Sequence, residues 1–256
     1  MTPKMIATDL DRTLLRTDKT LSDYTISIFR RCRERGIKLV FATSRPMPAV
    51  LNFDFYRQIA PDGSLFHCGA AVFAEDNVIE KNGISKETVR EMLLTAYRDA
   101  SVELSIESGE DIHCNTAPLD LWPCIKVHQI DYANPPALYA DKIVFTDISP
   151  KTIDAVSKLL PDSLYMEISE NKIGMIMSRN ATKARGVKRL AAHFGVSLSD
   201  VVAFGDDYND IGMLQECGVG VAVANAIDEA KAAADVICGD NDSDGIAKWL
   251  EVNALT

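Results

Sequence analysis

An α/β fold is predicted by this sequence: a doubly wound parallel sheet core with an inserted α+β unit. Three observations carry that expectation. Short apolar runs alternate with amphipathic helical stretches in both outer thirds of the chain, as in parallel strands joined by helices. Those runs are nearly continuous in hydrophobicity, the pattern of strands covered on both faces. Between about residues 81 and 180 the alternation gives way to a different order of helices and strand-like runs.

Taken in order, MIAT reads as a short first strand, and LSDYTISIFRRCRERG as a helix. Ser22 is its N-cap candidate, Ile28, Phe29 and Cys32 share one side, and Gly36 stops it. IKLVFAT, residues 37 to 43, is a buried strand, followed by a helix and a third strand, SLFHCGAAVFA. The inserted region opens with the helix SKETVREMLLTAYRDA and continues with the strand-like runs VELSIES and DKIVFTDI. A helix opened by Ser149 and Pro150 ends at Pro161, and SLYMEISENKIGMIMS forms two strands joined near Glu170 and Asn171. The first pattern then resumes with the helix VKRLAAHFG, the strand VVAFGD, the helix IGMLQECG and the strand GVGVAV. The expected domains are therefore residues 1–80 plus 181–256 as a core, and 81–180 as the inserted unit.

At 256 residues, 47% hydrophobic and 25% charged, the chain has the composition of a soluble globular protein, and its apolar runs are too short for a membrane span. MTPKMIATDLD reaches acidic residues before a signal-like apolar region forms, so a cytoplasmic location is expected. A formal charge of −10 disfavours nucleic acid and anionic membranes as partners; RRCRER, the densest basic stretch, lies on a helix facing water. Cysteines 32, 68, 114, 124, 217 and 238 show no CxxC spacing and read as reduced, mostly buried thiols.

Strand ends in a parallel sheet converge on one edge, where ligands bind. Asp9 and Asp11 end the first strand, Thr43 ends the second, Lys183 begins a helix, and Asp206, Asp207 and Asp210 follow a later strand. Clustered carboxylates of this number do not all ionise without a cation, because like charges raise one another's pKa. Mg²⁺ suits the set, since it accepts a few carboxylates together with waters and a phosphate oxygen. In phosphoryl transfer each group then has a task. Asp9 can attack phosphorus once Mg²⁺ and Lys183 offset its repulsion from a phosphate dianion. Asp11 can carry a proton to the leaving oxygen and later take one from water, and Thr43 can donate to a phosphate oxygen.

DLDRTL, Thr43, Lys183 and GDDYND resemble, in order and spacing, the four motifs of the haloacid dehalogenase (HAD) superfamily of phosphatases. The resemblance is most specific to the Cof-like sugar-phosphatase branch and extends through GVGVAVANAIDEAKAAADVICGDNDSDGIAKWL. It implies a Rossmann-like core and makes the inserted α+β unit a cap that sets substrate specificity. It also implies Asp9 as nucleophile, Asp11 as acid and base, and Mg²⁺ held by Asp9, the Asp11 carbonyl and Asp206, with Asp210 steadying the metal's waters. Phosphate contacts would come from the Leu10 amide, Thr43, Ser44, Lys183 and Asn209. The chain departs from the pattern at Arg12 and Ser44, where the family usually has glycine, and at Cys68, where it usually has asparagine. Arg12 matters most, because glycine suits a tight turn; its side chain is expected to point to solvent.

Arg45 is a candidate for substrate or cap contact, whereas Trp122, Lys126 and His128 lie in LWPCIKVHQ, expected to be an irregular surface loop. Asp207 reads as a metal ligand or a helix cap, and a cap or a group that supports the ligands is expected. DNDSDGIAKWLE matches a calcium-loop pattern through Asp240, Asp242, Asp244, Gly245 and Glu251. The strand-like ADVIC before it argues against calcium, and Ser243 or Asp244 is expected to cap a C-terminal helix instead. The expected activity is Mg²⁺-dependent hydrolysis of small phosphorylated metabolites, sugar phosphates above all, through an aspartyl-phosphate. Its rivals are a phosphosugar mutase with the same aspartates, a receiver-like phospho-aspartate signalling protein, and a catalytically silent binding protein.

Overall fold

The structure is a computed structural model that describes residues 2–99, 102–115, 125–169 and 172–256. Trp122, Glu170 and Asn171 lie outside the described residues. The described residues divide into two compact units: 1–44, 53–81 and 182–256 form the first, and 45–52 with 82–181 the second. The short segment 45–52, expected in the core, thus groups with the inserted unit.

In chain order, β1 (Met5–Thr8) is followed by an irregular turn (Leu10–Leu14), α1 (Asp23–Glu34), β2 (Lys38–Ala42), α2 (Met47–Leu51), α3 (Asp54–Ile59), β3 (Gly63–Phe66), β4 (Ala71–Ala74) and β5 (Asn77–Lys81). The second unit holds α4 (Lys86–Asp99), β6 (Ser105–Ser108), β7 (Asp111–Cys114), β8 (Lys126–Gln129), β9 (Lys142–Phe145), α5 (Pro150–Leu159), β10 (Leu164–Ser169) and β11 (Ile173–Ser178). The chain then continues through α6 (Lys183–His193), β12 (Val201–Gly205), α7 (Ile211–Glu216), β13 (Val219–Ala222), α8 (Asp228–Ala233), β14 (Val236–Ile237) and α9 (Gly245–Asn253).

The first unit is an eight-stranded sheet in the order β14-β13-β12-β1-β2-β3-β4-β5, parallel through β3 and antiparallel at β4 and β5. Its strands β1 and β12 are buried at every residue, which is why they read as unbroken apolar runs. α1 packs with α3 and α9, while α6 packs with α7 and against β2, β3 and β4. Ser22 caps α1 as expected, its hydroxyl accepting from the Thr25 amide at 3.0 Å, and α1 turns Ile28, Phe29 and Cys32 inward. Burying side chains of this size contributes about 1.5–3 kcal/mol each for Ile and Phe.

SLFHCGAAVFA is not one strand. It is β3 and β4, paired antiparallel with Phe66 opposite Ala71. His67 (φ 51°), Cys68 (φ 56°) and Gly69 (φ 101°) are all left-handed, and three such residues in succession reverse the chain. The second unit is α+β: a six-stranded sheet, β10-β11-β9-β6-β7-β8, with a core in which Val89, Leu93 and Val156 of its helices meet Ile106, Ile143 and Ile176 of its strands. Lys126 and His128, expected in an irregular loop, lie in β8, which pairs parallel with β7. The His113 and His128 rings stack at 4.9 Å there. Among the described residues no helix is long and apolar enough to cross a membrane.

Candidate active site

The ladder between β1 and β12 runs one residue past the strand, where the Asp9 amide donates to the Phe204 carbonyl at 3.0 Å. This holds the Asp9 backbone at the sheet's edge and leaves its carboxylate buried there. Lys183 is the first residue of α6, whose N-cap Thr182 accepts from the Arg185 amide at 3.2 Å. The turn after β3 fixes where that helix starts: a Cβ on Gly69 would lie 2.5 Å from the Thr182 carbonyl oxygen, so only glycine permits the approach. Lys183 Nζ, itself buried, then donates to Asp9 Oδ1 at 2.6 Å and to Asp210 Oδ1 at 2.7 Å.

Asp210 is held from its other oxygen. Oδ2 accepts from the amides of Asp206, at 3.0 Å, and Asp207, at 3.2 Å. The tight return that permits this needs Gly205, because a Cβ there would meet Asp210 Cβ at 2.4 Å. Asp206 Oδ1 accepts from Thr13 Oγ1 at 2.7 Å. Carboxylate oxygens of Asp9, Asp206 and Asp210 all lie within 4.8 Å of one another.

Burial is the main force on the ionisation of this cluster. It pushes the Asp9 carboxyl well above its usual range; the Lys183 charge opposes the rise and the neighbouring carboxylates add to it. Asp206 is pushed up to about 7, first by burial and then by the Asp210 charge, with Thr13 pulling the other way. Lys183 is pulled down by burial, yet the Asp210 and Asp9 carboxylates outweigh that and hold its ammonium charged. Three buried carboxylates against one buried ammonium leave the cluster short of positive charge. A hard divalent cation fits this donor set. Asn209, on the turn between Asp206 and Asp210, adds a buried carbonyl oxygen, Oδ1, with no hydrogen-bond partner in the described structure.

The structure brings Asp9, Lys183, Asp206 and Asp210 together. Thr43 is fully buried at the end of β2, its amide donating to Leu65 and its carbonyl accepting from Cys68. Leu10 is buried beside Asp9, and Ser44 follows Thr43 half-buried. Arg45 groups with the second unit. Asp11 lies outside the carboxylate cluster: its side chain is a quarter exposed and receives Lys19 Nζ at 2.7 Å. Asp207 caps the turn that follows it, accepting from the Tyr208 amide at 2.8 Å.

Arg12, expected to point to solvent, occupies the left-handed region at φ 60°, ψ 3°. That conformation costs a side-chain-bearing residue roughly 1–2 kcal/mol. The turn is braced from outside: Asn225 Nδ2 donates to the Arg12 carbonyl at 2.7 Å, Asn225 Oδ1 accepts from the Asn241 amide, and Asn241 Nδ2 donates to the Leu15 carbonyl. The guanidinium is half exposed, with Nε 3.9 Å from Asp206 Oδ2. Sequence reasoning missed Thr13 and Lys19 altogether; a hydroxyl four residues past Asp9 in the same turn was the available signal for Thr13.

The acidic segment near the C-terminus has its own partners. Asp240 accepts from the Ser243 amide and Asp242 from Thr17, while Asp244 takes Arg16, Ser22 and Thr25. Glu251 takes Tyr24 and Arg31. Asp244 is the N-cap residue of α9 by position, but its carboxylate serves α1 and Arg16 instead of the helix it precedes.

The sequence profile of the haloacid dehalogenase-like hydrolases matches residues 6–250. The pyridoxal phosphate phosphatase YbhA of Escherichia coli is 29% identical over 270 residues, covering 98% of each chain. A haloacid dehalogenase-like hydrolase from Bacteroides thetaiotaomicron superposes with a TM-score of 0.86 at 25% identity, over 98% of this chain and 99% of the other. The fold of the HAD subclass IIB sugar phosphatase BT4131 matches equally well, with a TM-score of 0.86 at 23% identity over 99% of this chain and 100% of that one. With the profile spanning nearly the whole chain, and both solved folds spanning core and insertion alike, this protein belongs to the haloacid dehalogenase-like hydrolases, as a Cof-like member.

Proposed function

We propose that this protein hydrolyses phosphomonoesters of small metabolites, with Mg²⁺ and through an aspartyl-phosphate on Asp9. It is a phosphatase of the HAD superfamily. The observation that carries the finer reading is the buried Lys183 ammonium shared by Asp9 and Asp210 beside a third carboxylate, Asp206. Such a group favours the ionised form of a nucleophilic carboxylate against burial and supplies positive charge where a phosphate dianion arrives.

In the first half-reaction an Asp9 oxygen forms a bond to phosphorus while the bond to the leaving oxygen breaks, and Asp11 gives that oxygen a proton. For this step Asp11 exchanges Lys19 for the leaving group. In the second, water attacks phosphorus, Asp11 takes its proton, and the Asp9–phosphorus bond breaks to release inorganic phosphate. Asp9, Asp206, Asp210 and the Asp11 carbonyl are the groups that would hold Mg²⁺. When bound, it offsets the repulsion between the nucleophile and the phosphate. We assign phosphate contacts to the Leu10 amide, Thr43, Ser44, Lys183 and Asn209, and substrate contact to Arg45. Residues 81–180 we assign to substrate choice. A cytoplasmic setting suits a substrate of this class.

Sugar phosphates are the substrate class we favour, with pyridoxal phosphate the next to try, after the activities named for the two phosphatase relatives. Incubation with a panel of both, followed by phosphorus NMR, tests the reading. Free phosphate released by the wild type and lost in Asp9→Asn supports it. Phosphate returned to a second position of the sugar would make the protein a mutase.

A further inference from the structure

We infer that Arg12 is a built-in competitor for the metal, a cation on a braced turn that shares one oxygen of Asp206 with Mg²⁺ and weakens its binding. The inference rests on the metal-dependent reading above and deepens it. Asp206 presents two oxygens. Oδ1 is committed to Thr13 Oγ1 at 2.7 Å. Oδ2 faces the Arg12 Nε at 3.9 Å and has no other hydrogen-bond or ionic partner among the described residues. The oxygen with both lone pairs open to a divalent ion is therefore the one beside the guanidinium.

The separation matters. At 3.9 Å the pair is too long for a hydrogen bond, so the guanidinium acts by charge and leaves the oxygen open to ligation. Two cations beside one carboxylate oxygen repel each other, and because Asp206 is buried and Arg12 only half exposed, water screens that repulsion less than it would at an open surface. The turn that carries the arginine is also held in place. Its left-handed backbone is fixed by Asn225, which is fixed in turn by Asn241, and Asn241 reaches back to the Leu15 carbonyl. Glycine would adopt the same φ without strain, so an arginine kept here against that strain points to work done by its charge. The guanidinium donates no hydrogen bond to any described residue, so nothing else in the first unit accounts for its position.

Titration of the metal-stripped protein with MgCl₂ alone, followed by calorimetry, tests this on wild type, Arg12→Gln, Arg12→Gly and Arg12→Lys. Circular dichroism confirms that each variant is folded. Arg12→Gln and Arg12→Gly are expected to lower the Kd for Mg²⁺ by about tenfold, an order of magnitude being what a single nearby charge produces. Arg12→Lys is expected to stay near wild type, and the Arg12→Gln gap to narrow as salt is raised. Glutamine is as strained as arginine at this φ, so it separates charge from backbone relief. Equal Kd values in all four proteins overturn the inference and leave the metal site standing. Tightening in Arg12→Gly alone, or equally in Arg12→Lys, overturns it as well. Absence of Mg²⁺ binding in every protein overturns the inference and the metal-dependent reading together.

Discussion

Lys183 Nζ stands between Asp9 Oδ1 and Asp210 Oδ1, 2.6 Å from one and 2.7 Å from the other, with all three groups withdrawn from water. Two carboxylates from opposite ends of the sequence are tied by one charge. Replacing Lys183 by Met leaves both without a counter-ion. Breaking a buried ionic group from one side costs about 3–5 kcal/mol. Urea denaturation in EDTA is expected to show a loss of that order, together with loss of phosphatase activity.

Asp9→Asn has the opposite signature. It removes the proposed nucleophile but also a carboxyl whose ionised form burial opposes, and Lys183 keeps Asp210. Turnover of an aryl phosphate is expected to fall by about three orders of magnitude or more. The metal-free melting temperature should stay level or rise. A variant that turns over at the wild-type rate would refute Asp9 as the nucleophile.

Without metal, stability depends on pH through Asp206. Its carboxyl ionises near 3.8 when unfolded and at about 7 when folded. Between those values the folded protein keeps a proton that the unfolded chain has released, so stability falls as pH rises through this window, and Asp9, also pushed well above its usual range, adds a fall of the same sign. Lys183, whose pKa is raised, contributes stability that is complete across this range and lost only in strong alkali. Melting temperatures in EDTA are expected to drop from about pH 5 to about pH 8, and Mg²⁺ should raise them most at the upper end.

Asp244 is a structural staple. Its carboxylate collects Arg16 Nη2, Ser22 Oγ and Thr25 Oγ1, joining the N-terminus of α1 to the entry of α9. Asp244→Ala is expected to lower stability by about 1–3 kcal/mol, measured by urea denaturation, through the unsatisfied groups it leaves. Calcium calorimetry on the wild type should show no tight site at residues 240–251, because those carboxylates already have partners.

The places of Asp9 and Asp206 at one edge of the sheet were legible in the sequence for a mechanical reason. Apolar runs of four or five residues fix where strands end, and strand ends in a parallel sheet face one ligand edge. Handedness of the backbone leaves no such trace. His67 and Cys68 are not turn-forming types, so Gly69 was the one local sign of the reversal between β3 and β4 in an otherwise apolar stretch. Arg12 was visible as an oddity, but the turn that carries it is braced by Asn225, 213 positions away. The hold of Lys19 on Asp11 was hidden for a related reason: Lys19 is itself left-handed, at φ 66°, and alternation says nothing about such a bend.

The pairing of β1 with β12 also governs how the protein comes into being. Lys4 and Asp200, which meet at the edge of that pair, are 196 positions apart. β1 sits between β2 and β12, so the central strand of the first unit has one neighbour early and the other only after most of the chain is made. At about 5–20 residues per second of synthesis, that interval lasts roughly 10–40 s. During it the apolar runs of β1 and β2 emerge with one flank open, while residues 82–181, all in hand before Lys183 appears, can already gather around their own core. Asp9 thus waits for its counter-charge, and the buried pair it makes with Lys183 is among the last features of the molecule to assemble.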